Sequence, residues 1–154
     1  MSDGAAAPLI QTPGPERDAQ FSPDGRWIAY SATDNARQEV YVTAVTSSSL
    51  KLTVGGGPWR VSSGGGQSPR WRADGREIFF VGPSSTMAVP VSTESAFSAG
   101  TPVAVAAASQ NAAARSFVDA SRDGRELLYA RPVTDAASRS PVNILINWVP
   151  DASR

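Results

Sequence analysis

The sequence contains no cysteine, no histidine and only one lysine, Lys51. Without cysteine, the chain has neither disulfides nor thiolate metal sites. Without histidine, it also lacks the commonest general base and the commonest metal ligand of proteins. The 14 basic and 14 acidic residues balance, and no dense basic cluster offers the patch that binds nucleic acid or an anionic membrane. The composition therefore predicts no metal site and no nucleic-acid partner.

Long apolar runs and the motifs of nucleotide or nucleophilic chemistry are missing as well. No stretch approaches about 18 consecutive apolar residues, so we predict no membrane span in this chain. The N-terminus shows no basic segment followed by an apolar run, and so no signal peptide is expected here. The glycine clusters 55–57 and 64–66 are not followed by the Lys-Ser/Thr pair or the helix of a phosphate-binding loop. With no Gly-x-Ser-x-Gly motif either, we predict no cofactor and no enzymatic activity.

What the chain does contain is one short motif in three copies. Each copy has Asp-Gly-Arg, one variable residue and then three mostly apolar residues. The copies occupy residues 21–30, 71–80 and 120–129. Asp24 and Asp74 are 50 positions apart, and Asp74 and Asp123 are 49 apart. A repeat of this length is typical of solenoids, propellers and other arrays.

The motif itself predicts a tight turn between two strands. Glycine adopts a positive φ without steric cost, and an aspartate side chain can fix a turn by bonding to nearby backbone. The short apolar runs that follow suit strands covered on both faces. The three aspartates have two interpretations, a shared metal or proton site and three equivalent turn caps. We favour turn caps, because turn chemistry already accounts for Asp followed by Gly.

The pattern of strands and turns predicts an all-β fold, a partial β-propeller of about three four-stranded antiparallel blades. The expected strands are 9–12, 18–21, 26–33, 39–44, 59–62, 68–71, 77–81, 86–91, 102–105, 116–120, 125–131 and 142–148, with a loop over 47–57. The expected segments are a disordered lead over 1–8, blades over 9–62, 63–105 and 115–149 within a propeller region of 9–149, and a tail over 150–154. The four tryptophans are expected to pack between blades and not to form a binding platform.

Several segments resemble a known family. Residues 21–31 (Phe-Ser-Pro-Asp-Gly-Arg-Trp-Ile-Ala-Tyr-Ser), followed by Glu-Val-Tyr-Val at 39–42, resemble the repeat of TolB-like, WD-repeat-like propellers. Residues 59–62 (Trp-Arg-Val-Ser), 65–71 (Gly-Gly-Gln-Ser-Pro-Arg-Trp) and 144–148 (Ile-Leu-Ile-Asn-Trp) resemble the propeller fused to bacterial serine/threonine protein kinases. The resemblance covers residues 9–149.

The resemblance implies the C-terminal half of a larger propeller, because the propellers of the family are larger than three blades. It implies a non-catalytic module for protein–protein interaction or ligand sensing, and it favours an extracytoplasmic or periplasmic location. The alternative is the accessory propeller of a prolyl-type peptidase or another hydrolase whose catalytic domain lies outside this chain. A protein or peptide is the expected partner in the first case.

Six polar residues are the candidate binding site. When the repeats are aligned on Asp-Gly, two sets of residues take equivalent positions near the entrances of the inner strands. The sets are Gln20, Arg70 and Asp119, and Arg17, Gln67 and Ser116. A repeated scaffold acquires binding specificity when equivalent positions carry different side chains. The alternative is a water-filled channel with no ligand.

Three blades are too few to close a ring, which leads to a prediction about assembly. Two chains meeting head to tail would form a six-bladed homodimer, with each 9–12 strand completing the partner's last blade beside 142–148. The two seams would bury roughly 1,200 Å², the lower end of a specific interface. The alternative is a fragment that depends on further blades and is marginally stable alone.

Overall fold

The computed structural model describes residues 8–47, 52–107, 116–130 and 142–145, and within these ranges it contains strands and turns but no helix. The strands are β1 (Glu16–Phe21), β2 (Trp27–Asp34), β3 (Arg37–Ser47), β4 (Leu52–Arg60), β5 (Gln67–Trp71), β6 (Glu77–Val81), β7 (Ser85–Ser92), β8 (Ser98–Ala99), β9 (Val103–Ala107), β10 (Ser116–Ala120), β11 (Leu127–Ala130) and β12 (Val142–Leu145).

These strands form three antiparallel sheets in chain order. Sheet 1 is β1-β2-β3-β4, sheet 2 is β5-β6-β7 with both β8 and β9 paired to β7, and sheet 3 is β10-β11-β12. Every pairing is antiparallel. The prediction of an all-β fold with antiparallel sheets is therefore confirmed for the described part of the chain.

The three sheets begin with the same backbone pattern. In each, the first strand carries a register shift just before its fourth or fifth residue, and that residue then pairs with one nine positions further along. The pairs at this position are Gln20 with Ala29, Arg70 with Phe79, and Asp119 with Leu128. The repeat seen in the sequence therefore corresponds to a repeat in how the first two strands of each sheet pair.

The turn between the first two strands is also the same in each sheet. Its aspartate accepts a hydrogen bond at 3.0–3.1 Å from the backbone N–H two residues later, and its glycine has a φ of 71–73°. The aspartate–donor pairs are Asp24 with Arg26, Asp74 with Arg76, and Asp123 with Arg125. The turn-cap interpretation is confirmed, and no cluster of three or more possible metal ligands occurs among the described residues.

Asp74 gives the sheet 2 turn an expected pH dependence. Hydrogen bonds from Nη2 and Nε of Arg72, at 2.6 and 2.8 Å, lower the pKa of Asp74 to about 2. Because this folded-state pKa lies below that of the unfolded chain, the stabilisation is present above about pH 4 and is lost as the pH falls towards 2. We expect Asp74→Asn to lower the free energy of unfolding by at most about 1 kcal/mol at neutral pH, since the side chain is 45% exposed.

Urea unfolding of the wild type and Asp74→Asn between pH 2 and pH 7 measures this effect. The difference between the two proteins should shrink as the pH falls from 4 to 2. A difference that stays constant across the range contradicts the assignment.

The sheets pack face to face through two apolar layers, and sheet 2 is buried on both sides. On β6, Ile78 and Phe80 belong to the layer shared with sheet 1, whereas Phe79 and Val81 belong to the layer shared with sheet 3. The first layer also contains the expected inter-sheet tryptophans: Trp27 and Trp71 are buried in it, and Trp59 packs edge-on against Trp27. In the second layer, the hydroxyl of Tyr129 donates to Oγ1 of Thr86 at 2.7 Å.

Two predicted elements are wrong. Residues 9–12 do not form a strand; Leu9 and Ile10 instead pack on the apolar side chains of the outer face of sheet 1. The loop predicted over 47–57 is also wrong in its second part, because β4 begins at Leu52 and pairs with β3. Its glycines leave room for an aromatic ring: a methyl group added at Gly57 would lie 2.8 Å from Cε3 of Trp59.

The other elements differ from prediction mainly at their ends. The strand expected over 125–131 begins at Leu127, and the strand expected over 142–148 is present over 142–145. The short strand β8 was not expected. Residues 1–7 of the lead expected over 1–8, the tail expected over 150–154 and residues 146–149 lie outside the described residues. No helix in the described ranges has the length and hydropathy needed to cross a bilayer.

Candidate functional site

The six candidate residues lie on the first strands of the three sheets. Arg17 and Gln20 are on β1, Gln67 and Arg70 on β5, and Ser116 and Asp119 on β10. Each of these strands is at one edge of its sheet, and β5 contacts both β1 and β10. The three first strands therefore lie side by side, and we call this surface the first-strand edge.

Equivalent residues of the first-strand edge use their side chains differently. Oε1 of Gln20 accepts a hydrogen bond from the backbone N–H of Trp71 at 2.8 Å, which joins sheet 1 to sheet 2. At the same position in sheet 2, Nη1 of Arg70 donates to the carbonyl of Pro69 at 2.7 Å. In sheet 3, Oδ1 of Asp119 accepts from the N–H of Ala120 at 2.9 Å.

The second set of equivalent residues is more varied in exposure. Arg17 is exposed, and Gln67 is half-buried. The backbone of Ser116 pairs with Ala130, as Arg17 pairs with Ser31 and Gln67 with Val81. The side chain of Ser116 lies outside the described residues. The hydrogen bond of Gln20 thus crosses between two sheets.

A polar cluster that the sequence analysis missed lies beside Gln20. Oδ2 of Asp18 accepts hydrogen bonds from the hydroxyl of Ser68 at 3.2 Å and from that of Ser31 at 3.4 Å. The N–H of Ser68 in turn donates to Oγ of Ser31 at 3.1 Å. These three side chains hold the start of β5 against sheet 1, so they strengthen the contact between the two first strands.

Asp18 and Ser68 occupy the same place in their repeats, and both have a left-handed backbone, with φ of 55° and 52°. Asp18 and Ser68 are 50 positions apart, so the sequence did contain the signal that they are equivalent. The sequence did not indicate their positive φ, because neither residue is a glycine. No turn motif in the sequence marks the register shift at which they lie. Non-glycine residues with a left-handed backbone are uncommon in proteins as a whole, and those that occur cluster at functional sites.

The chemistry available at the first-strand edge is hydrogen bonding and charge of both signs. Arg17 and Arg70 provide guanidinium groups, Asp18 and Asp119 provide carboxylates, and Gln67 provides an amide. Such a set can form charge-assisted hydrogen bonds with a polar partner. It includes no thiol or imidazole, because the sequence has neither.

No family model matches the chain, and no curated protein matches it either.

Proposed function

We propose that this chain is a three-bladed part of a TolB-like β-propeller, with sheets 1, 2 and 3 as its blades. The proposal rests on three supports: the equal strand registers, the equal Asp-Gly turns and the face-to-face packing of neighbouring sheets. Radial repetition of four-stranded sheets is the architecture that such units build. In this arrangement the first-strand edge is the side that lines the central channel.

The proposed function is non-catalytic binding of a protein or peptide at the first-strand edge. The observation that carries it is the contrast between a constant backbone and a variable side chain: Gln20, Arg70 and Asp119 share one register position but differ in charge. A repeated frame with unlike side chains at one exposed edge provides specificity without any change of fold. The resemblance adds a setting, the C-terminal part of a propeller associated with a bacterial serine/threonine kinase.

The accessory propeller of a prolyl-type peptidase or another hydrolase is the alternative function. In both functions, a catalytic domain outside this chain carries out the reaction. The two functions are therefore distinguished by which catalytic domain the same reading frame encodes. A kinase catalytic loop there supports the first, and a hydrolase domain supports the second.

A peptide-display experiment tests binding at the first-strand edge. Selection of random peptides on the immobilised chain is expected to enrich a consensus with charged residues. Binding of the selected peptides should fall at least about tenfold in the double variant Arg17→Ala/Asp119→Ala, because the loss of two charge-assisted hydrogen bonds costs more than about 1.4 kcal/mol.

The matched control for this experiment is Arg60→Ala/Glu94→Ala, which also removes one positive and one negative exposed side chain. Arg60 is on β4 and Glu94 follows β7, so neither lies on the first-strand edge. An equal loss in both double variants, or no enriched peptide, contradicts the proposal.

We also propose that two chains form a six-bladed homodimer, but the N-terminal segment must first move. Residues 9–12 do not form the strand that was to complete the partner's last blade, and Leu9 and Ile10 cover part of the face that the partner would use. A six-bladed ring therefore requires this segment to leave sheet 1. Light scattering is expected to give twice the 16.1 kDa mass of one chain, whereas a monodisperse monomer at all concentrations excludes the ring.

A further inference from the structure

A cleft of about 510 Å³ lies on the outer face of sheet 1, on the side away from sheet 2. We call it the tyrosine cleft. Its walls include residues from the N-terminal segment, from the β2–β3 hairpin and from β4, namely Pro13, Tyr30, Asp34, Asn35, Tyr41 and Pro58. Its volume lies within the range of small-molecule sites. None of the six first-strand-edge candidates lines it.

One wall of the cleft is aromatic. The rings of Tyr30 and Tyr41 are stacked, with centroids 5.9 Å apart and an interplanar angle of 28°. Tyr30 is almost completely buried, and burial raises its pKa to about 12, so its hydroxyl remains a protonated donor. Tyr41 is half-buried and also lines the cleft.

A carboxylate stands beside this aromatic wall. The hydroxyl of Tyr41 donates to Oδ2 of Asp34 at 3.2 Å, which fixes the carboxylate at the end of β2. The hairpin that follows is tight, with Asn35 and Ala36 at φ of 47° and 64°. Asp34 is exposed and forms no ion pair within the described part of the chain.

We propose that the tyrosine cleft binds a small organic cation, an ammonium group carried on an apolar body. A fixed carboxylate next to an aromatic ring attracts a cation through both charge and the ring quadrupole. The remaining walls, which include Pro13 and Pro58, provide apolar surface for the body of the ligand. The ammonium sits at Asp34 and Tyr41, and the body lies against the ring of Tyr41, which the buried ring of Tyr30 supports from behind. This site is separate from the first-strand edge. It lies on the face of sheet 1 that the six-bladed ring would cover, so ligand binding in the cleft and closure of the ring exclude each other.

A matched pair of probes tests this proposal on the unmodified protein. 2-Phenylethylamine carries an ammonium at neutral pH, whereas 2-phenylethanol has the same aromatic body without the charge. In ¹⁵N-¹H NMR titrations, the amine is expected to give saturable shifts at the amides of Asn35 and Ala36. The alcohol is expected to bind at least about tenfold more weakly, since a hydrogen bond to a charged group contributes about 1.5–3 kcal/mol.

Asp34→Asn should reduce the affinity for the amine about tenfold and leave that for the alcohol unchanged. Glu94→Gln, which neutralises another exposed carboxylate outside the cleft, should change neither. Equal affinity for the two probes, shifts at residues outside the cleft, or no saturable shift overturns the proposal. The comparison of amine with alcohol needs no variant, so it decides the question even if Asp34→Asn were poorly folded.

Discussion

Replacement of Phe80 by alanine is expected to lower the free energy of unfolding by about 3–5 kcal/mol. Phe80 is 1% exposed and lies in the apolar layer between sheets 1 and 2. Its surroundings have little room to collapse: a methyl group added at Gly66 would lie only 3.0 Å from Cδ2 of Phe80. A loss of this size is a large part of the stability of a small domain, about 5–15 kcal/mol.

Phe21→Ala is the matched control for Phe80, because it removes the same ring from β1, where the side chain is 51% exposed. We expect this variant to lose less than about 1 kcal/mol. Urea unfolding followed by tryptophan fluorescence measures both. Similar losses in the two variants would mean that the layer between sheets 1 and 2 is not the tightly packed core described here.

The second large effect is expected at Ser62. Its hydroxyl donates a hydrogen bond to the buried carboxylate of Glu39 and accepts one from the N–H of Val40 at 2.8 Å. Ser62→Ala therefore leaves two buried polar groups without this partner, one of them a carboxylate. We expect a loss of about 2–4 kcal/mol, because a stranded polar group costs about 1–3 kcal/mol and a charged one costs more.

Ser121 provides a matched control for Ser62, and a second substitution at Glu39 tests whether the loss can be recovered. Ser121 has the same pair of bonds, to the carboxylate of Asp123 and from the N–H of Glu126, but in an exposed turn. Ser121→Ala should lose less than about 1.5 kcal/mol, since water replaces the lost partner. Adding Glu39→Val to Ser62→Ala should recover part of the loss. Simple additivity of these two changes would show that the Ser62–Glu39 bond contributes nothing.

The repeating part of the fold was predictable because local chemistry determines it. Asp24-Gly25 and its two copies specify the turn through a side-chain bond and a positive φ, and the turn then sets the register of the strands on either side. The apolar run of β6 was equally informative, because alternate side chains enter opposite layers. The sheets therefore follow from short motifs that act over a few residues.

The errors occur where tertiary contacts outweigh local pattern. Residues 55–57 look like a loop because they are glycines, but the ring of Trp59 packs into the space that the missing side chains of Gly56 and Gly57 leave. Leu9 and Ile10 have the pattern of a strand, yet they cover the apolar face of sheet 1. No local signal distinguishes these cases.

The placement of the candidate residues on the first strands was predictable, but their hydrogen bonds were not. Alignment of the repeats brings Gln20 and Arg70 to one place, and the strand registers agree with that alignment. The hydrogen bond from Trp71 to Gln20 and the bonds of Ser68 to Asp18 cross between sheets, so they depend on how closely the sheets approach. Sequence spacing carries no information on that distance.

Sheet 2 has an apolar layer on each of its faces, and this has a consequence for how such a chain changes length over evolutionary time. A duplicated unit of about 50 residues inserted beside sheet 2 would meet, on both sides, a surface of the kind that it already packs against. Because sheet 2 packs on sheet 1 through one apolar layer and on sheet 3 through the other, such an insertion leaves the packing of more distant units intact. An open array of such sheets can gain a unit in this way by gene duplication, while each Asp-Gly turn continues to set the local strand register.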